Sequence, residues 1–309
     1  MKTVYGIGQT DKKYRQAVMA IGVFDGVHIG HQKLIAMTVA KARRRGGEAI
    51  VMTFAPHPVK VLKPDCYMPY IVSLEHRLQL IAGLGVDVCV VVHFTRRFAG
   101  LSAEKFVRRY IIDRIGPEEI VVGEEFCFGS DRGGSVTMLK EVGATHGFQV
   151  SPVRPVADNQ EKIGSTAIRK LIAAGELKLA QKYLGRDVSL MGTVIRGDGR
   201  GRTLGYPTAN ISLNDEVLPP LGVYAARIVI RGRRYDAMIN IGHRPSFKKE
   251  SSPISLEVHI FRFRRAIYGE VVLVEFVRRI RNEKMFLSKI DLIKQLREDA
   301  VLAQKILSR

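Results

Sequence analysis

Five apolar runs alternate with helical patterns through the first 185 residues, and this alternation constrains the fold more than any other feature. The runs at 17–24, 49–54, 86–92, 119–122 and 148–153 have the length and apolar content of buried strands. Residues 32–45 and 74–84 read as the helices between them. A third helix is expected over 103–115, with Ser102 as its N-cap and Gly116-Pro117 as its stop. Strand–helix alternation of this kind predicts a parallel sheet covered on both faces.

Beyond Gly185 the pattern changes. Short strands at 190–195, 223–230, 234–241, 255–261 and 270–276 are separated by glycine-rich turns, which predicts a small antiparallel barrel or sandwich. A closing helix follows. Ser288 and Asp291 read as a capping box, and Ile293, Leu296, Ala300, Ala303 and Leu307 as the buried stripe. Two short helices, 166–174 and 177–184, precede the change, so the expected domains are 1–185 and 186–309.

Composition narrows the class. No apolar run approaches the roughly 18 residues that span a bilayer, and the first residues lack a signal peptide's apolar core. Cys66, Cys89 and Cys127 are far apart and odd in number, which fits reduced thiols and a cytoplasmic location. The net charge of +19 admits a polyanionic partner, but the basic runs at 41–45, 231–234, 262–265 and 278–281 are short and scattered. Solvated basic faces, with some charge serving small phosphorylated ligands, are the expected reading; no nucleic-acid or membrane partner is expected.

The chemistry concentrates in Gly22-Val-Phe-Asp-Gly-Val-His-Ile-Gly-His31, which follows the first strand run and leads into a helix. Gly22, Gly26 and Gly30 permit close approach of the backbone to a ligand. A helix N-terminus offers N–H groups and positive dipole to phosphate. His28 and His31, three apart, put both rings on one side of the first turn, where they can stabilise charge on phosphorus and a pyrophosphate leaving group. The alternative is a pair of core or capping histidines.

This segment resembles the signature of the His-x-Gly-His nucleotidyltransferases, most closely the bacterial bifunctional riboflavin kinase/FMN adenylyltransferases. Thr53-Phe-Ala-Pro-His-Pro58, Gly123-Glu-Glu-Phe-Cys-Phe-Gly129 with Arg132, and Ser165-Thr-Ala-Ile-Arg169 are similar to further motifs of that family, in the family's order. The resemblance implies ATP contacts from Gly22, Phe24, Asp25, Gly26, Gly30, Ser165, Thr166 and Arg169. It implies flavin contacts from Phe54, His57, Pro58, Glu125, Phe126, Phe128 and Arg132. Physically, Ser165 can cap its helix while its amide and that of Thr166 offer a second anion nest, and Arg169 can fork onto phosphate. Gly164 stands where the family has a serine, and Glu125 where it has aspartate.

In the second half, Gly192-Thr-Val-Ile-Arg-Gly-Asp-Gly-Arg-Gly-Arg-Thr-Leu-Gly-Tyr-Pro-Thr-Ala-Asn210 resembles the riboflavin kinase signature. It is neither a Walker A loop nor a Rossmann fingerprint. Gly197, Gly201 and Gly205, with Arg202 and Pro207, would form the ATP loop. Thr208 and Asn210 alternate in extended backbone, so their oxygens project to one side and suit Mg²⁺. The family's catalytic glutamate maps onto Glu257, a carboxylate in an otherwise apolar strand, where it is costly without a partner. A cross-strand ion pair with an arginine is the alternative. Asn240-Ile-Gly-His-Arg-Pro-Ser-Phe247 resembles another family segment, and Tyr268, Arg281, Glu283 and Phe286 fall at positions implied to contact flavin. The stretch 261–268 is basic where the family is usually acidic.

The resemblance implies an α/β Rossmann-like nucleotidyltransferase domain with a parallel sheet, then a small antiparallel β-barrel domain with a C-terminal helix. It implies ATP-dependent phosphorylation of riboflavin to FMN, then adenylylation of FMN to FAD, with Mg²⁺ as cofactor. Two rivals stand beside it: a monofunctional relative with one site lost, and a basic nucleic-acid-binding protein reusing the fold.

Overall fold

The computed structural model describes residues 1–9, 14–159, 161–197, 199–243 and 254–308. It divides into two compact units, one of residues 1–68 and 74–165 and the other of residues 69–73 and 166–309. Each is described in its own terms.

The first unit is built on β1 (Lys2–Tyr5), β2 (Val18–Ile21), α1 (Ile29–Arg44), β3 (Ala49–Ala55), α2 (Pro58–Leu62), α3 (Leu74–Gly83), β4 (Val88–His93), α4 (Arg96–Ala99), α5 (Ala103–Phe106), β5 (Glu119–Gly123), α6 (Val136–His146) and β6 (Gln149–Val153). The six strands form one sheet in the order β1-β4-β3-β2-β5-β6. Every neighbour pair is parallel. Met19, Ile21, Ile50 and Met52 pack on one face, and Val18, Ala20 and Val51 on the other. Strands buried on both sides must be apolar at every position, which is why they read as continuous runs. A short ribbon, β7 (Ala157–Asp158) with β8 (Glu161–Lys162), completes the unit.

The sequence reading missed β1, whose four residues are half exposed and carry no apolar run. The helix expected over 103–115 is α-helical only to Phe106 and π-helical through Ile112. The wider turn brings Phe106 and Tyr110 both against Phe98, at 5.9 and 5.4 Å between ring centroids. Such π segments cluster at functional sites.

The second unit opens with α7 (Ser165–Ala174, whose first residue belongs to the other unit) and α8 (Leu177–Leu184). Then come β9 (Val188–Ile195), α9 (Arg200–Thr203), β10 (Ala209–Ile211), β11 (Gly222–Ile230), β12 (Arg233–His243), β13 (Ile254–Ile260), β14 (Val271–Asn282) and α10 (Lys289–Leu307). The strands close a barrel in the order β10-β13-β12-β11-β14-β9, which decides barrel over sandwich. All of its pairings are antiparallel.

The closing helix corrects two expectations. Ser288 Oγ accepts from the Asp291 amide at 3.1 Å, but the Asp291 carboxylate takes the Ser288 hydroxyl at 2.7 Å, so the capping box is only half made. Ile293 is 38% exposed, and the buried stripe is Asp299, Ala303 and Leu307. A carboxylate sits in that stripe because Arg281 on β14 chelates it: Nε lies 3.0 and 2.9 Å from the two Asp299 oxygens. Such a bidentate pair holds the helix in register as well as in contact.

Candidate functional site

The turn from β2 into α1 is buried and strained. Phe24 and Val27 hold positive φ angles of 53° and 40°, uncommon for any side chain and an outlier for a β-branched one. Asp25 and Val27 are each 1% exposed. Gly22 is required by the folded-back ring of Phe24, since a Cβ there would lie 2.9 Å from its Cζ. The helix starts at Ile29 with His28 as N-cap, three residues earlier than its apolar periodicity predicts. His28 and His31 therefore stand on its first turn, with rings stacked at 3.6 Å between centroids. Burial, then the charges of His28 and Arg77, holds the His31 imidazole well below the usual histidine range, so it is neutral at physiological pH.

Two pockets open at the carboxyl ends of the strands, where open α/β sheets bind ligands. One, of about 320 Å³, is lined by Gly22, Phe24, His28, Gly30, His31, Glu125 and Ser165 among others. The second, of about 970 Å³, is lined by Phe54, Pro58, Phe94, Phe98, Phe106 and Phe128, with Arg132 at its edge. Gly22 and Phe126 line both, so the two pockets meet there.

Several expected residues sit differently from expectation. The Ser165 hydroxyl does not cap its helix; it donates to the Asp25 carbonyl at 3.0 Å and so ties the second motif to the first. Glu125 lines the histidine pocket and pairs with Lys162. His57 N-caps α2, its Nδ1 accepting from the Val59 amide at 3.1 Å, while Phe54 and Pro58 beside it reach the aromatic pocket. Thr166 is exposed, and Arg169 Nε donates to the Pro69 carbonyl at 2.8 Å.

The expected flavin contacts Phe54, Pro58, Phe126, Phe128 and Arg132 all line the second pocket, but the sequence reading missed the rest of its aromatic lining and Arg77. Phe94, Phe98 and Phe106 are scattered in sequence and converge only in space. Arg77 did leave a signal: it occupies the stripe Leu74, Arg77, Leu78, Ile81 at helical spacing, where a cation is out of place.

In the barrel, β10, β13 and β12 bring Asn210, Glu257 and Asn240 into register as direct neighbours. Thr208 Oγ1 donates to Glu257 Oε2 at 3.2 Å. Among the described residues no arginine pairs with Glu257, so nothing there supports the ion-pair alternative. Gly197 lies against Asn210: a Cβ there would fall 2.1 Å from its Nδ2. His259 Nδ1 donates to the Pro207 carbonyl at 2.9 Å and so braces the loop rather than Glu257. The Glu283 carboxylate covers Gly242, near Asn240. A pocket of about 370 Å³ is lined by Arg202, Pro207, Thr208 and Tyr268, which groups Tyr268 with the expected ATP residues instead of with Glu283. Arg281 is committed to Asp299 and lies 5.6 Å from the Phe286 ring centroid. Asp198 of the glycine loop and Arg244, Pro245, Ser246 and Phe247 lie outside the described residues. Among the described residues no group of three or more His, Cys, Asp or Glu side chains could hold a metal ion.

These two sites define a pair of fused phosphotransfer domains. A family model for FAD synthetase matches residues 10–167, and one for riboflavin kinase matches residues 184–307. A Bacillus subtilis protein named bifunctional riboflavin kinase/FMN adenylyltransferase is 38% identical over 92% of this chain and 90% of its own length. The Escherichia coli K12 protein of the same name is 33% identical over 99% and 97%. A solved Streptococcus pneumoniae structure, described as a macrolide-efflux protein, superposes with a TM-score of 0.86 at 33% identity, over 98% of this chain and 99% of that one. Efflux belongs to that protein's description; among the described residues here no helix is long and apolar enough to cross a membrane. The chain belongs to the family of bifunctional riboflavin kinase/FMN adenylyltransferases.

Proposed function

We propose that the chain makes FAD from riboflavin in two ATP-dependent steps, with residues 186–309 phosphorylating riboflavin to FMN and residues 1–185 adenylylating FMN with release of pyrophosphate. The observation that carries the reading is the junction of the two pockets at Gly22 and Phe126. One pocket suits a triphosphate, with a helix N-terminus and two histidines; the other, walled by phenylalanines, suits the flat tricyclic ring of a flavin. A flavin phosphate at the junction would face the α-phosphorus of ATP for in-line attack.

FMN attacks with a phosphate that is already anionic, so the first unit needs no general base. His28, His31, the Ser165 amide and the start of α1 would stabilise charge as pyrophosphate leaves. A neutral His31 suits that task, because it donates a hydrogen bond without having to hold an extra proton.

Riboflavin instead attacks with a ribityl hydroxyl, which must lose a proton. Glu257 would accept it, with the Thr208 hydroxyl fixing the carboxylate. The neutral oxygens of Thr208 and Asn210 beside that carboxylate fit Mg²⁺, which when bound would neutralise phosphate charge during transfer. The pocket that Tyr268 shares with Arg202, Pro207 and Thr208 supports a place for it on the nucleotide side of the kinase site. Three unbridged cysteines support a cytoplasmic location. Incubation of the purified chain with riboflavin, ATP and Mg²⁺, followed by chromatography, should yield FMN and then FAD; unconverted riboflavin together with unconverted FMN would refute the reading.

A further inference from the structure

The geometry assigns Arg77 as the positioning residue of the adenylyltransferase site: a buried cation that clamps the strained β2–α1 turn onto the end of β3. This rests on the adenylyltransferase reading above, and it concerns a residue that none of the motifs contains.

Arg77 is 1% exposed, in the middle of α3. Its Nη1 lies 2.6 Å from the Val23 carbonyl, 3.3 Å from the Phe54 carbonyl and 3.3 Å from the Thr53 hydroxyl. Thr53 Oγ1 donates to the same Val23 carbonyl at 2.9 Å. One guanidinium therefore joins the two segments that line the flavin pocket, since Val23 and Phe54 are both in its wall. Val23 is also followed immediately by Phe24, whose positive φ has to be held by its surroundings. A buried cation is costly unless its hydrogen bonds are made. The residue is placed where it fixes the turn on which His28 and His31 stand.

Its charge has a second consequence. His31 is faced by His28 on its own helix, by the edge of Phe24, and by Arg77; Glu124, Glu125, Arg154 and Lys162 line the same pocket. After burial and His28, Arg77 is what disfavours a charged His31. Removing the cation should let His31 take a proton at higher pH, and the acid limb of FAD formation should move up with it.

Three variants separate the clamp from the charge, with FAD formation from supplied FMN followed against pH. Arg77→Lys keeps charge and donors and should stay within a few-fold of wild type with an unshifted acid limb. Arg77→Met removes both, and should lower kcat by roughly 10²-fold, the scale of a 1 Å misplacement, while the limb shifts up. Arg77→Gln keeps donors without charge and stands in for Met should that variant fail to fold; it should shift the limb with a smaller loss of kcat. Equal losses in Lys and Gln with an unshifted limb, or wild-type behaviour in Gln, would overturn the assignment. A wild-type chain that makes no FAD would instead refute the underlying adenylyltransferase reading.

Discussion

On the reading proposed above, the two units would meet the same ligand, ATP, with opposite materials. The first uses a rigid turn: buried residues at positive φ, stacked histidines, a helix N-terminus and an internal arginine. The barrel uses a glycine loop, two side-chain oxygens, and a carboxylate between asparagines on neighbouring strands. The nucleophile explains the difference. A phosphate monoester arrives ionised and needs only alignment and a stabilised leaving group, whereas a hydroxyl needs a base within reach. On that reading the base would belong to one unit and the charge-stabilising histidine pair to the other.

The sharpest way to break this contrast is to remove the base. Glu257→Gln keeps shape and hydrogen bonding but not basicity, and FMN formation should fall about 10²–10⁴-fold. FAD formation from supplied FMN should hold, as steady-state assays of the two steps will show. Next in size, His28→Ala should lower FAD formation by roughly 10²–10³-fold, the cost of one preorganised donor, while FMN formation persists. Equal damage to both steps by either variant would mean that the two sites do not divide the chemistry.

The division of the chain offers a smaller test. Leu177, Ala180, Tyr183 and Leu184 of α8 are buried, and the compact second unit includes that helix. A fragment of residues 166–309 should thus melt well above one of 187–309, at roughly 1.5–3 kcal/mol per large buried side chain lost. Equal melting temperatures would put the stability boundary at 185/186 instead.

The smallest effect concerns the end of the sheet far in sequence from the histidines. Burial alone would raise the Glu119 carboxyl, but hydrogen bonds from Lys41, Ser151 and Arg45 outweigh it and hold it below the usual range. A depressed carboxyl stabilises the fold above its unfolded pKa, and that contribution is lost as pH falls through the folded value. Glu119→Gln should cost about 2 kcal/mol at neutral pH, and the deficit should shrink in acid. Denaturant titrations at several pH values will read it; a deficit independent of pH would assign the loss to packing.

What the sequence made legible follows from how local each signal is. The runs of β2 to β6 and the turn Gly22–His31 carry their periodicity and their chemistry within a few residues. Glu257 was legible because a carboxylate broke an apolar pattern. The aromatic pocket was legible only where motif resemblance reached it, at Phe54, Phe126 and Phe128; Phe94, Phe98 and Phe106 join them only after a parallel sheet has closed over long crossovers. Arg281 shows the converse: its position suggested ligand contact, but a carboxylate 18 residues away on α10 occupies it, and nothing local announces that pairing.

Complementation tests the central claim most directly. Glu257→Gln and His28→Ala proteins, each slow to carry riboflavin to FAD, would be mixed with riboflavin, ATP and Mg²⁺, and the flavins separated over time. Two independent chemistries predict that the mixture accumulates FMN and then FAD far faster than either protein alone. FAD from either variant alone at the wild-type rate, or none from the mixture, would contradict it.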